Sequence, residues 1–186
     1  MPIRNAVASD RAGIISCINS MWAYLRTSKG ITNLTDWNVA TFNAYAAAGH
    51  EAWVYARPTG RIDAVCIWSV RNLTRPPDVT PQPWMHVPIL VVRASAITTT
   101  AERRKHYLRG IALAVPDAVV NQGCVGVFCE YDARHIDLHN VLAEWTRAEF
   151  ETTPVGPDGS PALEVFYVRV QPGLPELTVA AAGLNT

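Results

Sequence analysis

The 186-residue sequence has little charge and almost no lysine. Its 16 basic and 16 acidic side chains leave a formal net charge of zero, and charged residues make up 17% of the chain, against roughly 25% in an average soluble domain. Lys29 and Lys105 are its only lysines. A neutral balance excludes a domain-wide cationic surface, so we expect no nucleic-acid partner. Low net charge favours association with other protein subunits.

Long apolar runs are also missing. No segment approaches the ~18 apolar residues that a membrane-spanning helix needs. The first ten residues, MPIRNAVASD, lack the charged and then apolar layout of a secretory signal. We therefore expect a protein of cytoplasmic origin that has no membrane span.

The cysteines show no CxxC spacing, and each lies inside an apolar segment. Free cysteine is among the most buried residue types, so we expect four small buried hydrophobic side chains. A disulfide, or a metal or nucleophilic role, is the less favoured alternative. The four positions are Cys17, Cys66, Cys124 and Cys129.

The first fifty residues predict a short strand and two helices. Residues 2–6 are compatible with a strand, and Asp10 stands where a helix N-cap belongs. Apolar side chains then recur at spacings of three and four over residues 14–25, up to a stop at Gly30. A second helix is expected over residues 35–49, with the Thr35 hydroxyl as its cap.

From residue 51 the pattern becomes that of strands. Residues 52–57 and 62–71 are rich in Val, Ile, Trp and Tyr and flank a Pro-Thr-Gly-Arg turn, which predicts a β-hairpin. Residues 75–83 hold four prolines and should form a loop, because proline lacks the N–H that an inner strand donates. Residues 85–93 are nearly all apolar and predict a strand buried on both faces.

Two further helices and two further strands are expected. A Thr-x-x-Glu capping box at residues 99–102 predicts a helix that runs to about Val115, before Pro116. The remaining segments are a buried strand, a helix and a last strand at residues 124–130, 132–150 and 163–170.

The C-terminal residues 171–186 have two prolines, two glycines and little periodicity. We expect them to form an extended arm that a partner orders. The chain is thus predicted to be one domain over residues 1–170 with a C-terminal arm that contacts other protein subunits.

The order of these elements predicts an α/β (α+β) fold, with a mixed, mostly antiparallel central sheet of about six to seven strands flanked by about four helices. In this order the chain resembles the GNAT acetyltransferase superfamily over residues 2–170. The motifs that carry the resemblance are Ile3-Arg4-x-Ala6-x-x-x-Asp10, Thr59-Gly60-Arg61-Ile62 and Trp145-x-x-x-x-Phe150, the last similar to the Tyr-x-x-x-Gly-Phe of the family.

The resemblance also identifies what is missing. In the family, the fourth strand leads into an Arg/Gln-x-x-Gly-x-Gly/Ala loop whose amides bind the pyrophosphate of coenzyme A. The matching residues 93–101 contain no glycine, so we expect no cofactor. If acetyl-CoA nevertheless binds, the resemblance implies that its contacts come from Arg93, Thr98, Thr99, Thr100, Arg103 and Arg104.

The catalytic residues are similarly reduced. Many relatives use a tyrosine as general acid where this chain has Trp145, and an indole has no usable acidity near neutral pH. If the protein is active, the resemblance implies His86 and Glu130 as catalytic candidates. As structural residues, His86 would be a hydrogen-bonded core histidine, and Glu130 would cap the next helix or pair with an arginine.

One pair of histidines has a spacing that resembles that of metal ligands. His135 and His139 are four residues apart on a predicted helix, with Asp132 nearby, which approaches ligand spacing. A matched third ligand is missing, so we expect a solvated helix face and no metal.

These observations favour a GNAT-fold protein with a degenerate coenzyme A site, acting without catalysis as a structural or assembly protein. It is loosely similar to the small acetyltransferase-like proteins in particles of short-tailed bacteriophages, which would place it in a virus particle. The alternative is an active acetyl-CoA-dependent N-acetyltransferase. A gap between the fourth and fifth strands, open or filled by a side chain such as Trp145, distinguishes the two.

Overall fold

The computed structural model describes residues 3–95, 99, 122–143, 149–156 and 162–169. In this part of the chain it contains seven strands, three α-helices and a 3-10 turn at Ala8–Asp10. The strands are β1 (Ile3–Asn5), β2 (Glu51–Ala56), β3 (Ile62–Leu73), β4 (Gln82–Val92), β5 (Gly126–Asp132), β6 (Glu149–Thr153) and β7 (Leu163–Arg169). The helices are α1 (Arg11–Lys29), α2 (Val39–Ala47) and α3 (Ile136–Leu142).

All seven strands form one sheet, in the order β1-β2-β3-β4-β5-β7-β6. β4 and β5 are parallel, and every other neighbouring pair is antiparallel. The predicted fold class is therefore confirmed. The helix predicted to begin at residue 99 lies outside the described residues, apart from Thr99 itself.

Helix α1 packs its apolar stripe against the sheet and ends at Gly30, whose φ of 66° forms the predicted left-handed cap. Asp10 is the N-cap residue of α1, as predicted, but its side chain makes no helix-capping bond. Its carboxylate instead accepts from the Val7 N–H at 2.8 Å and from Arg4 at 2.6 and 2.9 Å. Asp10 thus joins β1 to the turn before α1.

Helix α2 begins later than the sequence predicts. Asn38 caps it, with Oδ1 accepting from the Thr41 N–H at 3.0 Å. The predicted start at Thr35 is therefore wrong, because the extended backbone of Asn38 precedes the first helical turn.

The prediction that residues 75–83 contain no strand is wrong at its last two positions. β4 begins at Gln82, and Pro83 lies opposite Asn72 of β3. A proline lacks the donor but keeps the acceptor, and the Pro83 carbonyl accepts from the Val125 N–H at 2.8 Å.

The single helix predicted over residues 132–150 is also wrong. Asp132 is the last residue of β5, the helix α3 is short, and residues 149–153 form the edge strand β6 along β7. Asp132 turns the chain by accepting the Arg134 N–H at 2.9 Å. Phe150 anchors β6 through a ring contact with Phe166, at 5.7 Å between centroids.

Candidate functional site

The candidate site lies where β4 and β5 separate. Over their described lengths, these strands are in register at two positions, Met85 with Val127 and His86 with Phe128. Beyond His86 the register of β4 on β3 shifts by one residue. Such an irregularity bends a strand, so the two parallel strands part towards their carboxyl ends.

The edge of β4 that borders this gap carries free backbone groups. The Arg93 N–H donates to the Asp63 carbonyl on β3 at 2.8 Å. Along an antiparallel pair of strands, residue pairs that exchange hydrogen bonds alternate with pairs that do not. Since Arg93 is hydrogen-bonded to β3, Val92 and Leu90 of β4 belong to the pairs that are not. Their N–H and C=O groups therefore point away from β3, into the gap.

A cavity of about 280 Å³ occupies the gap. Its wall is mostly apolar and comes from α1, the segment after α1, β4, β5, α3 and the start of β7. The lining residues that matter chemically are Trp22, Leu34, Leu90, Glu130, Asp132 and His135. The described side chains leave the gap open, and Trp145, which was expected to be able to fill it, lies outside the described residues.

The two carboxylates at the cavity have different environments. Asp132 accepts from the Arg134 guanidinium at 2.7 and 2.9 Å, which holds the pKa of its carboxyl below the ordinary value. The Glu130 side chain is 48% exposed, and no arginine or lysine of the described chain forms an ion pair with it. His135, rather than Glu130, caps α3. Glu130 is therefore the uncompensated negative charge of the cavity.

His86 lies directly behind Glu130. The residue is 2% exposed, and its Nε2 is 3.7 Å from Glu130 Oε2. Its ring stacks on Phe128 with 4.5 Å between centroids, and neither ring nitrogen has a hydrogen-bond partner within the described chain. Burial, with a smaller contribution from the charge of Arg71, lowers its pKa to about 4. His86 is thus neutral at pH 7.

The described cofactor candidates do not line the cavity. Arg93 donates from Nε to the Ile62 carbonyl at 2.8 Å and from Nη1 to the Ser16 hydroxyl at 3.0 Å. It also donates to the Gly13 carbonyl at 3.3 Å, so its guanidinium joins α1 to the sheet. Thr99 is exposed. The other candidates, Thr98, Thr100, Arg103 and Arg104, lie outside the described residues.

The solvated face predicted for the two histidines near β5 is wrong. His135 is 6% exposed, and its Nδ1 accepts from the Leu138 N–H at 3.4 Å. The Nδ1 of His139 lies 2.6 Å from a Glu164 carboxylate oxygen and 3.1 Å from the Tyr131 hydroxyl. Among the residues that the structure describes, no three His, Cys, Asp or Glu side chains are grouped as a metal would need.

The prediction for the cysteines is confirmed, since all four are buried and free. Burial raises the pKa of Cys17 and Cys129 to about 12 and that of Cys124 to about 11. None is a reactive thiolate near neutral pH. No described helix is both long and apolar enough to cross a membrane.

Most of the cavity wall is not predictable from local patterns. Trp22 belongs to the apolar stripe predicted over residues 14–25, and Leu34 lies between the two predicted helices. Asp132 was considered for a metal and not for this gap. One signal in the sequence could have indicated the site. Glu130 and Asp132 are two residues apart at the end of a buried strand, and this strand was expected to lie parallel to β4.

A search of the solved structures finds chains with the same architecture. A GNAT-family acetyltransferase from Staphylococcus aureus Mu50 superposes with a TM-score of 0.58 at 11% identity, over 91% of this chain and 99% of that chain. A bacterial toxin gives 0.61 at 13% identity, over 100% and 96%. The NatC complex bound to a Gag peptide and CoA gives 0.59 at 9% identity, over 92% and 100%.

A scan against protein-family models gives no match, and neither does a search of curated proteins. The likeness to solved structures is of low sequence identity and concerns the backbone architecture. Together with the strand order and the gap between β4 and β5, it shows that this chain has the mixed α/β fold of the GNAT acetyltransferases.

Proposed function

We propose that the protein is an acyl-coenzyme A-dependent N-acyltransferase, with the acceptor amine bound beside Glu130. The observation that carries this proposal is the gap between β4 and β5, which the described side chains leave open. It holds an apolar cavity and the Glu130 carboxylate, which has no arginine or lysine partner among the described residues. A gap that a cofactor can enter favours the active alternative over the non-catalytic one.

The edge of β4 that borders the gap fits an acyl donor. When bound, the acyl-coenzyme A thioester supplies an activated acyl group. Its pantetheine arm contains amides, and the backbone groups of Leu90 and Val92 point into the gap as the edge of a strand does. These two residues would hold the arm by strand-like hydrogen bonds. The glycine-free residues that follow β4 lie mostly outside the described chain.

The residues of the chain then act on the acceptor. An amine is protonated at neutral pH and must lose a proton before its nitrogen can attack an acyl carbon. Glu130 is the carboxylate placed to accept that proton, either directly or through one water. His86 behind it is neutral and buried, so it places no positive charge beside Glu130.

A second candidate is the non-catalytic structural or assembly protein, for instance a component of a virus particle. The environment of Arg93 favours this candidate. Arg93 was expected to contact the phosphates of a cofactor. Three hydrogen bonds to Ile62, Ser16 and Gly13 hold this guanidinium inside the fold. In this case the gap is a remnant, and the C-terminal residues 171–186 contact partner subunits.

Titration calorimetry and thermal unfolding with acetyl-CoA separate the two candidates. The enzyme should show saturable binding, stabilisation that rises with ligand concentration, and acetyl transfer to an amine. Glu130→Gln should keep acetyl-CoA binding and lower the transfer rate about 100-fold or more. Glu51→Gln, which changes an exposed carboxylate at the start of β2, should leave both unchanged.

Absence of binding and of stabilisation at millimolar acetyl-CoA would overturn the enzyme proposal. Size-exclusion chromatography of the full chain then tests the second candidate. A stable complex with a structural protein from the same source supports assembly, and a monomer that remains free of every such partner contradicts it.

A further inference from the structure

The cavity between β4 and β5 has a charge balance that restricts its ligand. Asp132 is neutralised by Arg134, at 2.7 Å between Oδ2 and Nη2. His135 is buried, and desolvation lowers its pKa to about 4, so this ring carries no charge at pH 7. Glu130 is the remaining charge, and no described lysine or arginine lines the cavity. The described residues therefore offer a bound molecule one negative charge and no positive one.

The rest of the wall offers apolar surface. It is formed mainly by Trp22, Leu25, Ile31, Leu34, Leu90 and Leu138. Small-molecule sites commonly have about 300–1,000 Å³, and this cavity of about 280 Å³ is at the small end. It has room for one apolar group comparable to a leucine or phenylalanine side chain, and burial of such a group stabilises the complex.

The wall is held in place before any ligand arrives. Arg134 donates from Nη1 to the Gly30 carbonyl at 2.8 Å, which ties the end of α1 to the turn after β5. Asp137 on α3 accepts from the Lys29 ammonium and from the Tyr24 hydroxyl, each at 3.3 Å. These bonds connect α1 and its C-terminal cap with the turn after β5 and with α3. A cavity formed in advance selects its ligand by shape and charge.

We propose that the acceptor of this site is a primary amine attached to one apolar group, without a carboxylate or a second ammonium beside it. The ammonium lies at Glu130, and the apolar group lies against Trp22, Leu34 and Leu90. A carboxylate on the same molecule would meet Glu130 or the Asp132–Arg134 pair, and no lysine or arginine of the described chain lines the cavity to bind it. A second ammonium would have to be buried in the apolar wall, which is costly for an unpaired charge. That the bound amine is the acceptor of a transfer rests on the proposed function. The binding of the amine at this cavity does not.

Two sources share this chemistry, namely a free small amine and the N-terminal residue of a polypeptide. The probes are leucinamide and phenethylamine for the small amine, and a pentapeptide amide that begins with leucine for the polypeptide. The controls are three compounds that each change one feature. Leucine adds a carboxylate, putrescine adds a second ammonium, and isoamyl alcohol has no charge.

Binding is measured by calorimetry and by intrinsic fluorescence, because Trp22 lines the cavity, and acyl-coenzyme A is left out. Leucinamide or phenethylamine should bind at least 10-fold more tightly than each control. Glu130→Gln and Leu34→Asn should each weaken that binding at least 10-fold, while Val79→Asn, at a fully exposed loop position, should not change it. Tighter binding of the peptide amide than of leucinamide assigns the site to polypeptide N-termini, and equal binding assigns it to small amines.

Leucine or putrescine binding as tightly as leucinamide overturns the inference, and so does an unchanged affinity in Glu130→Gln. Because these comparisons also use the unmodified protein, they do not depend on the folding of a variant. The proposed function fails separately: amine binding without any response to acetyl-CoA removes the transferase, whereas acetyl transfer that prefers putrescine removes only the present inference.

Discussion

At the scale of single residues, two buried histidines determine how the protein responds to acid. His86 and His135 are 2% and 6% exposed, and the pKa of each is lowered from 6.5 to about 4, chiefly by desolvation. In the unfolded chain both rings take up a proton near pH 6.5, while in the folded chain they stay neutral down to about pH 4. The unfolded state therefore binds more protons between these values.

The free energy of unfolding should accordingly fall as the pH decreases from 7 to 5. The stability that comes from the neutral rings is present above pH 6.5 and is lost as the pH falls towards 4. Each histidine should contribute a loss of about 2 kcal/mol between pH 7 and pH 5. Urea unfolding at the two pH values measures it.

The variant His135→Asn isolates one histidine. Asparagine can still cap α3, and it does not titrate. The pH dependence of its stability should be smaller than that of the unmodified protein by about 2 kcal/mol. Equal pH dependence in the two proteins would show that His135 is not desolvated in the native state.

At the scale of elements, one buried carboxylate joins the central hairpin to β4. Asp63 is fully buried and lies at the start of β3. Its oxygens accept from Arg61 at 2.8 and 3.1 Å and from Arg57 at 2.5 Å, and Arg93 lies 3.7 Å away. Burial by itself raises the pKa of Asp63, but the hydrogen bonds from Arg61 and Arg57 outweigh it, so the pKa is lowered overall.

Asp63→Asn should lower the free energy of unfolding by about 2 kcal/mol, because it replaces the charged acceptor of the Arg57 and Arg61 hydrogen bonds with a neutral amide that also carries N–H donors. The matched control is Asp36→Asn, which breaks the exposed ion pair of Asp36 with Arg26, 2.7 Å long. That change should cost less than about 1 kcal/mol. Chemical denaturation of both variants at pH 7 gives the comparison, and similar losses in the two would contradict the role of Asp63.

At the scale of the whole molecule, the sheet consists of two antiparallel parts joined at one parallel seam. β1 to β4 form one part, and β5, β7 and β6 form the other. The seam is in register at two positions. On one face it is supported by a small cluster that contains Trp84, Phe128 and Val165. Gly126 at the start of β5 lies against this cluster.

Gly126→Ala should destabilise the seam. A Cβ at this position would meet the Trp84 ring and would lie 2.7 Å from the Val168 carbonyl oxygen, closer than van der Waals contact allows. Crowding of this kind costs about 1–3 kcal/mol. Thermal and urea unfolding measure the loss.

A double-mutant cycle with Trp84→Leu tests the cause. A smaller side chain makes room for the new methyl group, so Gly126→Ala should destabilise the Trp84→Leu background less than the unmodified protein. Additive losses would place the strain elsewhere, at the Val168 carbonyl.

Local patterns predicted most elements and missed specific boundaries. The stripe of α1, its stop at Gly30, the β2–β3 hairpin and β7 are confirmed, because each depends on neighbours within a few residues. Pro83 was assigned to a loop because the sequence does not show that a second strand would use its carbonyl. The edge strand β6 was assigned to a helix because it forms by pairing with β7, in which Phe150 lies opposite Phe166, 16 positions further along the chain.

By itself, the sequence determined the class of the fold, most of its elements along the chain and the burial of the cysteines, since hydrophobic periodicity and turn residues act over short distances. The tertiary structure decided the site. Glu130 is 44 positions from His86 in the sequence, yet their side chains lie 3.7 Å apart. The cavity exists because β4 and β5 diverge after a short parallel contact, and no local pattern encodes the distance between two strands that pair across so long a connection.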